Sequence, residues 1–362
     1  MKELLAEFRH NKLTWLLVFV PAVFLAKGTN PEAHTLIFFL AVAAIVPLAA
    51  VLSRATESVG AKTGDAVGGL LNATLGNLVE LVITLTALRQ GMMDLVKGSL
   101  AGAIVTNSLF MLGGSFLLGG LKHRLQEFNR TNAGVQSGLM VTATVALIVP
   151  AALQGAEGVQ QGDFLGRLSV GLSVLLMVAY ALSLLFSLKT HKDLFASAGG
   201  GHGEEETPWP LPVALGSLAV VTLLVALVSE IFVESVQHAA LSLGLSPAFV
   251  GFVIVSLVGG AAEMATAFGA ARKNKLDLSV SIAMGSSTQI ALFVAPLLVL
   301  LSYVIAPAPM DLVFRPGLVL MVLIASFMGS LATRGGRSAW YLGSQLLAVY
   351  LVFAITLYML PG

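Results

Sequence analysis

Cysteine is absent from this 362-residue chain, which removes disulfides, thiolate metal sites and cysteine catalysis at once. Charge is scarce: 11% of the residues are Asp, Glu, Lys or Arg, against 57% apolar ones. With a mean hydropathy of +0.90, that balance excludes an ordinary soluble domain and leaves a polytopic membrane protein. No basic run points to nucleic acid, and a formal net charge of +1 singles out no partner. Histidine is nearly missing from the apolar stretches. His10, His34, His123, His191 and His202 fall outside them and His238 lies at the edge of one, so a zinc or copper set has little to draw on. The chain also lacks a GxGD-type aspartate pair, an H-E-x-x-H and any Ser/His or Ser/Lys pairing. An intramembrane enzyme is therefore disfavoured, although paired carboxylates can activate water.

What the chain has in quantity is apolar runs of roughly 17–25 residues, the length that spans a bilayer. Eleven are read, at 13–27, 35–53, 66–88, 95–119, 135–153, 168–188, 211–235, 247–271, 279–305, 316–333 and 338–360. The first has basic residues before it, as a signal peptide would, but no A-x-A cleavage site follows, so it is kept as a membrane helix. The expected fold class is an all-α polytopic membrane protein with eleven transmembrane helices. The linker at 189–210 is long, with a Gly-Gly-Gly run and Glu204, Glu205 and Glu206. It reads as a solvated charge run rather than as a metal sensor built with His202.

Lysine and arginine fix the orientation. Fifteen of the twenty lie at the N-terminus and in every second loop after it, whereas only Lys27, Arg89, Lys97, Arg167 and Arg315 lie on the other side. The N-terminus is thus expected in the cytoplasm and, with an odd count, the C-terminus outside.

An internal repeat organises the spans. A shift of 183 residues sets Gly76 on Gly259 and Glu80 on Glu263; a shift of 182 sets Ser99 on Ser281, Thr106 on Thr288 and Asn107 on Gln289. The chain divides into an N-terminal helix at 1–34, repeat A at 35–188, the linker at 189–210 and repeat B at 211–362. Five spans per unit is an odd number, so the two units must be inverted with respect to each other.

Glu80 and Glu263 carry the chemistry. Each ends a G-x-x-x-E frame inside an apolar span, and an ionisable residue at membrane depth is by default a functional site. No lysine or arginine sits at matching depth to neutralise either. Asn77, Glu80 and Thr84 share one helix face, as do Ser256, Gly260, Glu263 and Thr266. Gly76 and Gly259 invite helix breaks, which free carbonyl oxygens where they line a cavity or bind a cation. The following span of each unit brings an amide, Asn107 or Gln289, and GSST at 285–288 is the richest polar cluster within any span.

Such a set suits a hard cation: calcium takes six to eight oxygens from carboxylates, amides, carbonyls and water. Two protons neutralise the emptied carboxylate pair as well as one divalent cation does. Mutually exclusive occupancy of that kind is what an antiporter requires. The expected ion-binding set is therefore Glu80, Glu263, Asn77, Asn107, Gln289, Ser256, Gly76 and Gly259, with the two glutamates also carrying protons. An access pathway is read at Glu57, Asp65 and Ser286 and at Glu230 and Glu234, although Glu57 and Asp65 read more readily as a solvated loop and the last two read equally as interfacial acids beside a loop base. Ca2+ and H+ are expected as transported partners, no cofactor is required, and a homo-oligomer is compatible with the sequence.

The stretch ATESVGAKTGDAVGGLLNATLGNLVELVITLTAL, at 55–88, resembles the first signature of the cation/proton exchanger family, the calcium/proton branch of the calcium/cation antiporters. GGAAEMATAFGAARKNKLDLSVSIAMGSSTQIALFVAPLLV, at 259–299, is similar to the second. The resemblance implies one extra N-terminal helix before two inverted five-helix repeats, with calcium held between the signature helices. It carries the central ligand and proton-carrier role onto Glu80 and Glu263, and the flanking amide role onto Asn107 and Gln289. Gly260 departs from it, since the second signature often has asparagine there, as Asn77 in the first. Sodium/calcium relatives usually add acids in the following helices, where this chain has Asn107 and Gln289, which favours protons. A long acidic insertion typical of eukaryotic members is missing, so a prokaryotic cell-membrane protein is expected. A sodium-coupled calcium exchanger is the nearest competitor. A cation channel, which needs a continuous pore ringed by charge, is the competitor from another class.

Overall fold

The structure, a computed structural model, describes residues 12–63, 68, 70, 71, 74–154, 161–195 and 208–360. Helices run through nearly all of them, because a chain this apolar must satisfy its backbone within each segment. After a 3₁₀ stretch at Lys12–Val18 come α1 (Phe19–Thr29), α2 (His34–Thr63), α3 (Leu78–Arg89), α4 (Met93–His123), α5 (Arg130–Leu153) and α6 (Gln161–Leu185). The second half holds α7 (Leu211–Ser242), α8 (Pro247–Gly259), α9 (Ala261–Arg272), α10 (Leu276–Ile305), α11 (Pro316–Thr333) and α12 (Trp340–Met359). Among the described residues, eight helices are long and apolar enough to cross a membrane, nine if the bent pair α8–α9 is one span. Helix α1 is shorter, and in the expected span 66–88 the continuous helix is α3, preceded by helical residues at 68, 70, 71, 74 and 75 and by the turn at 76–77, with 66, 67, 69, 72 and 73 outside the described residues.

Local chemistry sets the ends. Asn129 caps α5 by accepting from the backbone N–H groups of Thr131 and Asn132, and the Ser246 hydroxyl accepts from Phe249 N–H at 3.1 Å at the start of α8. Pro247 and Pro316 stand at the first turns of α8 and α11, where no backbone donor is needed.

Burial ranks the helices. In α4, 89% of the most apolar window is buried, against 22% in α7 and in the span that continues α6. Helix α4 is central; α6 and α7 turn leucines and valines such as Leu175, Leu182, Val220 and Leu223 outward, as lipid-facing surfaces do.

Between apolar helices in lipid, burial of apolar area gives little drive, and small residues that let backbones meet matter more. Gly102 of α4 abuts the backbone of Phe252 in α8, and a Cβ on Gly251 would come 2.7 Å from the Leu95 carbonyl. One short antiparallel ladder, β1 (Gln126–Glu127) with β2 (Arg337–Ser338), joins the halves, Gln126 opposite Ser338 and Glu127 opposite Arg337.

Candidate functional site

Two helix interruptions build the site. Gly76 and Asn77 form a turn, with Asn77 at φ −101°, ψ 33°, and α3 begins at Leu78. At Gly260 (φ −82°, ψ 7°) the chain bends by 59° between α8 and α9. In the 183-residue register Asn77 and Gly260 are equivalent positions. Each glutamate therefore sits three residues past a break, in the first turn of a new helix: Glu80 in α3 and Glu263 in α9. The bend changes one expectation: Ser256 precedes it and Glu263 follows it, so they do not share the face of one straight helix.

Glu80 is buried, 4% exposed, and its side chain lies against the other half of the molecule. A Cβ on Gly259 would come 2.8 Å from Glu80 Cγ and 3.1 Å from its Oε1, so only glycine fits beside that carboxylate arm. Gly260 faces the same carboxylate and Asn107 Oδ1, at 3.7 and 3.6 Å from where its Cβ would stand. Glu263 is half-buried, lies within electrostatic reach of Glu80 and borders the Ser286 hydroxyl.

Ser286, which the sequence sets on the access pathway within the GSST cluster, lies between two of the amides. Its hydroxyl accepts from Asn107 Nδ2 at 2.9 Å and donates to Asn77 Oδ1 at 2.7 Å. Three elements far apart in the chain meet there. Its sole sequence signal was membership of the GSST cluster. Gln289 stands one helical turn beyond Ser286 on α10 and is 7% exposed.

Three buried polar atoms of this group have no hydrogen-bond partner: Asn77 Nδ2, Gln289 Nε2 and Glu263 Oε2. A half-turn of either amide exchanges its NH2 for its carbonyl oxygen, so each can offer oxygen to a cation or N–H to water. Buried polar groups are normally satisfied. Orphans gathered around two carboxylates fit a hydrated cation or protons as the missing partners. Among the described residues, no group of three or more His, Cys, Asp or Glu gathers, so the acidic set here is the glutamate pair alone.

Helix α4 turns π-helical over Thr106–Met111, α10 over Ile290–Val294 and α8 over Val250–Val255. Widened turns of this kind occur frequently at functional sites. Here they begin at or beside Asn107, Gln289 and the approach to Ser256.

Ser256 itself donates to the Phe252 carbonyl, and its Oγ lies 3.0 Å from Thr106 Oγ1, which in turn donates to Tyr350 OH at 3.4 Å. This group braces α8, and no hydrogen bond joins Ser256 to the glutamates. Glu57 is exposed, beside Ser53 (3.2 Å) and Arg54 (3.9 Å); Asp65 lies outside the described residues. On α7, Glu230 is exposed and Glu234 pairs with Lys27 at 2.7 Å.

The pattern found in the sodium/calcium exchanger protein family matches this chain twice, over residues 33–189 and 213–359. The chain belongs to that family. A Ca2+/H+ antiporter of Aphanothece halophytica is 38% identical over 359 residues, covering 96% of each chain. The Ca2+/H+ antiporter ChaA of Bacillus subtilis is 42% identical over 320 residues, 87% of this chain and 90% of that one. Among solved structures, native YfkE superposes with a TM-score of 0.83 at 35% identity, covering 96% of this chain and 100% of that chain. Family membership and the apolar helices make this a multi-pass membrane protein.

Proposed function

We propose that the protein is a secondary antiporter that exchanges Ca2+ for H+ across a membrane, by alternating access at Glu80 and Glu263. The observation that carries this reading is the packing of the Glu80 carboxylate on Gly259 and Gly260, the two glycines that lead into Glu263. Two acids from opposite halves, with no buried base among the site residues, form a site that one divalent cation or two protons neutralise. The charge at such depth must be matched, since an unpaired anion in a low-dielectric interior is costly. Occupancy by calcium and by protons is thereby exclusive, and that exclusion couples the two fluxes. The antiporters of Aphanothece and Bacillus support the same ion pair by their similarity over most of the chain.

In this reading Asn77, Asn107 and Gln289 supply amide oxygens, directly or through water, and backbone carbonyls near Gly76 and Gly259 complete the shell. Ser286 holds the amides in place. Ser256 acts at a distance, by bracing α8. Glu57, Asp65 and Glu230 draw cations towards the site. The chain carries eleven spans, one N-terminal helix and two inverted repeats at 35–188 and 211–362, joined by a cytoplasmic linker at 189–210. The double family match, with its gap at 190–212, supports that division. The N-terminus lies in the cytoplasm and the C-terminus outside, as the distribution of lysine and arginine requires.

Calcium flux in proteoliposomes tests the proposal, under an imposed pH gradient and, in parallel, a sodium gradient. Proton-driven, sodium-independent uptake that Glu80→Gln or Glu263→Gln abolishes is the expected result. Sodium-driven uptake would move the protein to sodium coupling, and flux indifferent to both gradients would make it a channel.

A further inference from the structure

Away from the carboxylate pair, the one place among the described residues where two histidine rings meet is the contact between the start of α2 and the end of α7. The rings of His34 and His238 stack with centroids 4.2 Å apart and planes 16° from parallel. His34 is half-buried and His238 exposed, so both are open to protons from solution. The stack is flanked by one further tie between the same ends, Thr35 Oγ1 lying 2.9 Å from Ser242 Oγ, and by a tie from α1 to α7, Lys27 pairing with Glu234 at 2.7 Å. At the opposite end α2 is tied to the segment leading into α7, by Trp209 N–H donating to Ser58 Oγ at 3.2 Å.

We propose that His34 and His238 form a proton-operated clasp: it holds the ends of α2 and α7 together while at most one imidazole is charged, and releases them when both are. Imidazole is the side chain whose charge ordinarily changes between about pH 5 and 8. The first proton has a partner, because Glu32 Oε2 lies 3.9 Å from His34 Nε2. A second proton has none: it puts two cations face to face at stacking distance, and the nearest acid on α7, Glu234, is already held by Lys27. The remaining charges on elements packed here are Glu230, one turn before Glu234 on α7 and exposed, and Arg89, exposed at the end of α3, which packs on α7. Arg89 adds positive charge to that end and Glu230 is two turns away from the stack, so neither relieves the doubly charged pair. The consequence reaches the site, since α2 packs against α8 and α9 and α7 packs against α3, the helices that carry the two breaks and both glutamates. The clasp concerns the α2–α7 contact alone and stands whatever ion the carboxylates carry.

The chain has no cysteine, so Leu36→Cys with Leu241→Cys, both positions exposed, places two nitroxide labels beside the clasp and nowhere else. Pulsed electron–electron distances are measured on the full chain in lipid nanodiscs without calcium, in a Glu80→Gln, Glu263→Gln background. In that background the site's own protonation cannot move the helices. Between about pH 8 and pH 5 the label distance is expected to lengthen and broaden. The same labels on His34→Phe, His238→Phe, which keeps two stacked rings without charge, should give one unchanging distribution. Each single Phe variant removes the repulsion and should do the same, which answers the question if the double variant does not fold. Matching distributions at the higher pH verify that each variant keeps the parent arrangement. A parent distance indifferent to pH, or a shift that survives in the Phe variants, overturns the clasp.

Discussion

The carboxylate arm of Glu80 packs against Gly259, a residue 179 positions later in the chain and four before Glu263, on the other side of the bend at Gly260. Any side chain at 259 must displace that arm, because its first atom would lie 2.8 Å from Glu80 Cγ. Gly259→Ala should therefore reduce calcium transport about 5- to 150-fold, on an overpacking cost of about 1–3 kcal/mol. Gly260→Ala meets its closest neighbour, the Ser256 carbonyl, at 3.3 Å, and should lose far less. Initial rates of calcium uptake by the two variants, reconstituted at equal density, check the order; equal losses would contradict it.

Ser286 joins Asn107 and Asn77 through one hydroxyl. Interhelical hydrogen bonds in membrane proteins contribute about 0.6 kcal/mol on average and up to about 1.7. Removing two of them and freeing both amides should cost about 1–2 kcal/mol. Ser286→Ala is accordingly expected to raise the calcium concentration for half-maximal transport about tenfold and to lower the melting temperature modestly, since the same two bonds join helices. In the double variant with Asn77→Ala the effects should fall short of additive, since each removes the same bond. A fully additive double would mean that the two side chains act separately.

How far the site could be read from the chain depends on how local each feature is. The glutamates, their glycine frames and the register between the halves are written in contiguous segments. Hydrogen bonds between residues 179 to 182 positions apart tie the two parts of the chain together, among them Asn107 with Ser286, Ser108 with Ser287 and Thr144 with Ser326. The tendency to break at the glycines was likewise legible, as Asn77 and Gly260 show. What could not be read was which residues meet across the halves. Ser286 becomes central because Asn77 and Asn107 arrive from elsewhere. Ser256 is drawn away towards Thr106 and the Phe252 carbonyl by the shape of α8, although spacing on an ideal helix put it beside Glu263. The pairing of Glu234 with Lys27 needed the placement of α1 against α7. Periodicity assigns faces; it does not assign neighbours from other helices.

Two ion pairs tie α4 to the segment before α11, and burial separates them. Lys97 Nζ donates to Asp311 Oδ1 at 2.5 Å and to the Val313 carbonyl at 2.8 Å, with the lysine side chain 17% exposed. Arg315 and Asp94, at 3.0 Å, are 64% and 59% exposed. Exposed pairs contribute about 0–1 kcal/mol, whereas removing one partner of a shielded pair strands the other charge. Lys97→Met should lower the melting temperature of detergent-solubilised protein clearly, on a loss of about 1–3 kcal/mol after allowing for the partly exposed aspartate. Arg315→Met should leave it nearly unchanged. Equal shifts would show that burial does not separate the two pairs.

The contact between α4 and α8 rests on glycine rather than on side chains, so backbone lies directly against backbone there. A Cβ on Gly102 would collide with the Phe252 backbone, its carbonyl oxygen and Cα included. Backbone cannot swing aside as the end of a side chain can, so α4 and α8 would have to separate. Gly102→Ala should therefore prevent recovery of folded protein, or leave protein with neither heat stability nor transport. Gly134, early in α5, has nothing within 4 Å of its would-be Cβ. There alanine only restricts the unfolded chain and favours the helix, a gain of about 0.5–1 kcal/mol, and Gly134→Ala should melt at or above the parent temperature with transport intact. Size-exclusion profiles and melting curves of the two variants side by side test the contrast. A well-folded Gly102→Ala would mean that α4 and α8 are free to move apart.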